Sequence, residues 1–163
     1  MTSGRKPRRP RWLPTADTMK LASHRAARLS QAEVAEVMQP LRQAFQALRE
    51  GVASEWHWSI AASAVNAAKA IERQGVVKGL HEHLRSADAA LQAIYTRAMA
   101  TGPWRPTPLH WHELDAIHAA VDLHEYQLKQ LSRGEVLRAI DKAAAEIRST
   151  GGRVVDVRQG AMA

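Results

Sequence analysis

Apolar residues in this chain recur at spacings of three and four in five successive stretches. Most of those stretches open on a capping signal and close at a glycine. A spacing of three and four places side chains on one face of a helix, so the chain is committed to packed amphipathic helices rather than to sheet. The stripes are Val34, Met38, Leu41, Phe45 and Leu48; then Trp56, Ile60, Ala64, Ala67 and Ile71; then Leu80, Leu84, Ala87, Leu91, Ile94 and Ala98. Leu114, Ile117, Val121, Leu128 and Leu131 form the fourth, and Val136, Ile140, Ala143 and Ile147 the fifth. Alanine is abundant and β-branched runs are nearly absent, which also favours helix. The expected fold is all-α, a bundle of about five helices in one domain.

The boundaries have local causes. Ser30 with Glu33, and Ser132 with Glu135, are capping boxes, with Leu29/Val34 and Leu131/Val136 placed as hydrophobic staples. The string LSxxEV therefore occurs twice, as a shared cap and not as an internal repeat. Ser54 opens the second helix and Gly75 ends it; Gly51 ends the first, which Pro40 kinks or divides. The third helix is expected from Val77, with Gly79 a weak spot near its start. Segment 102–131 joins the two halves of the bundle, and Thr107 followed by Pro108 reads as N-cap and first helical residue. His110 and His124 continue the apolar stripe of this fourth helix, His112 lies opposite, and His118 sits at its edge.

Charge is distributed unevenly. The net charge is +7. Residues 1–28 carry eight basic groups against Asp17 alone, and residues 29–163 carry fifteen of each sign. The high isoelectric point belongs to one end of the chain. Residues 1–14 hold three prolines, a glycine and Arg5, Lys6, Arg8, Arg9 and Arg11, too polar to bury a core, so they are expected to be disordered when free. Such a run neutralises phosphates by counterion release, and Trp12 beside Arg11 can stack on an unpaired base. These six residues are the candidate nucleic-acid contacts. The expected organisation is a basic arm over 1–28 with a helical turn near its end, a bundle over 29–152 and a tail over 153–163, in which RVVDV (153–157) reads as a short strand able to pair with another chain.

Other chemistry finds little footing. Without cysteine there is no disulfide, thiolate nucleophile or cysteine-held zinc. No two histidines are four apart, so no single helix offers a two-histidine grip on a metal, and His81 and His83 point to different sides. Glycine-rich phosphate loops and GxSxG elbows are absent. No apolar run approaches the roughly 18 residues that span a bilayer, and no secretory h-region follows the basic start. No cofactor or metal is expected, and the compartment is read as cytoplasmic.

The stretches GVASEWHW (51–58), AIERQGVV (70–77) and VDLHEYQLKQLS (121–132) resemble small uncharacterised helical proteins of proteobacterial phages and mobile elements. The resemblance covers most of residues 29–153 and implies an accessory protein working in the cytoplasm, with no activity attached to any residue. Three functions follow as expectations. The first is a non-catalytic module docking on nucleic acid or a nucleoprotein complex through the arm. The second is a protein–protein adaptor or inhibitor, or a homo-oligomer, using Trp58, Trp111 or the tail. The third is a metal-dependent enzyme assembled from His81, His83, His110, His112 and His118.

Overall fold

The computed structural model of the protein describes residues 16–151. Over that span the chain forms α1 (Ala16–Ala26), α2 (Gln31–Arg49), α3 (Glu55–Arg73), α4 (His81–Ala98), α5 (Trp111–Gln130) and α6 (Arg133–Ser149). The fold is all-α, with six helices among the described residues where about five were expected. The additional one, α1, lies inside the segment read as an arm. Its side chains are almost all exposed, and it packs on α6. The strand-like tail 153–157 and the contacts Arg5, Lys6, Arg8, Arg9, Arg11 and Trp12 lie outside the described residues.

Both capping boxes form. Ser30 Oγ accepts from Glu33 N while the Glu33 carboxylate takes the Ser30 backbone N–H, 2.9 Å away. Ser132 and Glu135 repeat the exchange. Each box satisfies donors that the first turn of a helix otherwise leaves unpaired, worth about 1 kcal/mol apiece. The two LSxxEV strings also lie against each other, since Arg28 and Ser132 form an isolated antiparallel bridge and Arg133 N donates to Ala27 O at 3.0 Å. The Arg133 guanidinium grips both oxygens of Glu33, at 2.7 and 2.6 Å. A salt bridge between residues one hundred positions apart thus fixes the corner where α2 and α6 begin.

Pro40 sits inside α2, which runs through it as one helix. At its end Gly51 adopts φ 71°, and Val52 N and Gly51 N bond Ala47 O and Leu48 O. This is the glycine-terminated Schellman arrangement, which needs a residue free to take positive φ.

The helix with the most neighbours is α3, not the fourth-stripe helix that the sequence places at the junction. It packs against α2, α4, α5 and α6. Ala61, Ala68 and Ala70 are buried among them, and such small side chains let the surrounding helices approach closely. On α4 the expected seam holds: Leu84, Ala87, Leu91, Ile94 and Ala98 are buried and Leu80 is half-buried. The helix starts at His81 rather than Val77, because Gly79 takes φ 87° and Glu72 captures the Leu80 N–H at 2.7 Å. On α6 the inward seam is Val136, Ala139 and Ala143, and Ile140, expected inside, is exposed.

The start of α5 is also displaced. His110, not Thr107, is the N-cap, and Pro108 stays outside the helix. Glu113, three residues on, accepts the His110 N–H at 2.9 Å. Its two oxygens are held by Arg97 of α4 at 2.5 and 2.7 Å, while Arg97 Nη2 reaches Pro108 O at 3.3 Å. Arg97 therefore pins both the helix start and the carbonyl just before it. Glu113 is 1% exposed, the most buried charge among the described residues.

Candidate functional site

Trp58, read from its stripe as an outward aromatic, faces the bundle. Its position shares a face with Ala61, Val65 and Ala68, all buried. The indole N–H donates to Leu91 O at 2.8 Å, and the ring packs on Tyr95 at 4.7 Å and Trp104 at 6.4 Å. Trp104 in turn donates to Ala53 O at 2.8 Å, so these rings tie the extended segment before α5 onto α3 and α4. Trp56, assigned to the stripe, is half-buried on the flank. Trp111 is different: it is 76% exposed, edge-on to His112. His110 and His112 stack beside it with planes 4° apart.

The histidines do not converge. His81 and His83 lie exposed on the first turn of α4, and His110 and His112 at the start of α5. His118 stacks on Phe45 and lies 3.7 Å from Asp122, an exposed pair of ordinary helix-surface geometry. Among the described residues no three His, Cys, Asp or Glu side chains are grouped to hold a metal. His110, expected on the apolar stripe, is the exposed N-cap of α5.

His124 does sit in the core, and burial pushes its pKa below the ordinary imidazole value. Its Nδ1 lies 3.4 Å from Gln127 Oε1, and Gln127 Nε2 donates to Ala68 O at 3.0 Å. Gln127 and Glu113, both fully buried, were not singled out by the sequence, since a polar residue on a stripe's edge looks the same whether solvated or satisfied inside. The space bordering His124 amounts to about 10 Å³, no more than a single water needs.

The larger concavity lies where α1 meets the start of α6. It is an open groove of about 600 Å³, lined by Arg25, Ala26 and Arg28 from one side of the sequence and by Gly134, Glu135 and Arg138 of α6. Gly134 permits the approach: a Cβ there would lie 3.1 Å from Arg25 O. Elsewhere arginines serve as struts between helices, in the pairs Arg42–Glu125, Arg73–Glu146, Arg97–Glu113 and Arg133–Glu33. The three groove arginines have no ion pair among the described residues. Glu135, the acid in the lining, has its carboxylate engaged by Ser132 N and Oγ, each at 2.8 Å. Those bonds, with the nearby charges of Arg138 and Arg28, hold it below the usual carboxylate range.

Arg25 and Arg28 were legible in the charge count, but Arg138 was not. The available signal was Gly134, a helical glycine with no turn to make, which marks a close approach of another backbone. No helix of the described residues is long and apolar enough to cross a membrane. No protein-family model matches the chain, and no curated protein or solved structure matches it.

Proposed function

We propose that the chain is a non-catalytic accessory module that docks on nucleic acid or on a nucleoprotein complex through its basic N-terminal segment. The observation that carries this reading is the segregation of charge. Eight basic groups against one acid fall in residues 1–28, while the remainder of the chain is balanced. Where that segment enters the described structure, Lys20, Arg25 and Arg28 remain exposed along the outside of the bundle. Phosphate contacts of this kind supply sequence-independent affinity, and the neutral bundle is left to face a protein neighbour.

The test is binding of the full chain to single- and double-stranded DNA and RNA at 50 and 200 mM salt. It is compared with a variant in which Arg5, Lys6, Arg8, Arg9 and Arg11 are replaced by Gln. The expected result is affinity that drops steeply with salt and is weakened in the variant. Absence of binding to every nucleic acid at low salt sinks the proposal.

The second reading is a protein–protein adaptor, and exposed Trp111, the first residue of α5, favours it. Aromatic residues of this kind are common anchors at interfaces. It predicts a partner or self-association that survives neutralisation of the basic segment and is lost in Trp111→Ala.

A further inference from the structure

We infer that the groove between α1 and α6 is a second phosphate-binding site, on the folded body, and that it takes the backbone of the same nucleic acid as the basic segment. The inference rests on the docking reading above and adds a place and three residues to it. Arg25 on α1, Arg28 in the bridge that follows it and Arg138 on α6 span more than a hundred positions in sequence, and packing brings them around one concavity. Three guanidinium groups against one carboxylate leave the lining at +2. That carboxylate, on Glu135, caps its own helix and offsets only part of the charge of Arg138 and Arg28.

The excess of positive charge in one groove makes it complementary to a chain of anions. Arginine suits the role because its planar donors match phosphate oxygens two at a time. Ala22, Ala26 and Gly134 contribute little side-chain bulk to the lining. Continuity selects the occupant. The basic run Arg5 to Arg11 belongs to the same stretch of sequence as Arg25, on α1, and Arg28, two residues beyond its end.

The experiment uses full-length protein throughout, with labelled 30-nucleotide duplexes and single strands read by fluorescence anisotropy over a salt series. Arg25→Gln/Arg28→Gln/Arg138→Gln is compared with Arg25→Lys/Arg28→Lys/Arg138→Lys and with the five-residue N-terminal Gln variant. Circular dichroism and melting of each variant establish that the bundle is intact. Loss of three phosphate contacts lowers the slope of log K against log salt by about 2.7 on duplex DNA and the affinity on the order of 100-fold near 0.15 M salt. The Lys variant is expected to keep most of the slope.

A triple Gln variant that binds with the parent's slope, while the N-terminal variant loses binding, overturns the groove and leaves the docking reading standing. No binding by the parent protein overturns both. Binding to vesicles rich in anionic lipid, without binding to nucleic acid, overturns both as well and reassigns the cations.

Discussion

Replacing Glu113 by Gln removes one charge from the best-buried ion pair in the bundle and leaves the shape unchanged. The carboxylate is 1% exposed, accepts two Arg97 donors at 2.5 and 2.7 Å, and takes the His110 N–H. Breaking a buried pair from one side costs about 3–5 kcal/mol, because the partner is left charged and uncompensated. The Arg97 side chain is 31% exposed, so water recovers part of that cost, and the expected loss is about 3 kcal/mol. Glu113→Ala also abandons the His110 N–H and should lose about 1 kcal/mol more. In a domain of this size 3 kcal/mol corresponds to a fall in melting temperature of about 9 °C.

The pH dependence sharpens the test. The hydrogen bonds from Arg97, above all, hold the Glu113 carboxyl below its ordinary value, against the opposing effect of burial. A carboxylate whose folded pKa is depressed contributes stability that is present above its unfolded pKa. That stability is lost as pH falls through the folded one. The gap between parent and Glu113→Gln, measured by urea unfolding, should therefore be full at pH 7 and shrink below about pH 4.5. A Gln variant within about 0.5 kcal/mol of the parent at pH 7 refutes the reasoning, as does a gap unchanged between pH 7 and pH 3.

His124, buried with a lowered pKa, holds a proton less readily in the bundle than in the unfolded chain, so stability falls as pH drops below about 6.5. Chemical denaturation from pH 7 to 5 should show His124→Leu relieving a slope of up to about 1.4 kcal/mol per pH unit; an unchanged slope counts against it. Gly134→Leu should push α1 away from α6, and limited trypsin digestion should then cut at Lys20 and Arg25 several-fold faster while the melting of the remaining helices stays within a few degrees. Trp58→Phe loses the bond to Leu91 O and part of the aromatic packing, for an expected loss of about 1–2 kcal/mol by urea unfolding. Trp111→Ala should leave stability within about 0.5 kcal/mol of the parent, and a larger loss would assign that side chain a structural role.

What the sequence disclosed depended on whether the deciding interaction was local. The boxes at Ser30 and Ser132 and the seam of α4 were readable because their partners lie three or four residues away. The start of α5 was misplaced because Thr107 and Pro108 satisfy every local rule, yet Arg97 of another helix holds the Pro108 carbonyl and Glu113 elsewhere. Trp58 packs partly against the core and Ile140 faces out, against their spacing, for a related reason. In an alanine-rich helix several faces satisfy the same spacing, and only the neighbouring helices decide among them. α1 is so exposed that it leaves almost no apolar stripe to read. The groove needed Arg138 to meet Arg25, a pairing that no periodicity encodes.

The placing of α3 inverts the usual vulnerability of a core. In most interiors the damaging change is truncation, which opens a hole beneath a large side chain. Here the helix that touches most of its neighbours meets them with Ala61, Ala68 and Ala70, each at most 1% exposed, and there is almost nothing on them to truncate. Growth is the hazard. One added methylene at Ala68 or Ala70 forces side chains off their rotamers or shifts backbone, at a cost of about 1–3 kcal/mol. The tolerance of the bundle to variation is therefore asymmetric, wide at its wet outer faces and narrowest at its smallest residues.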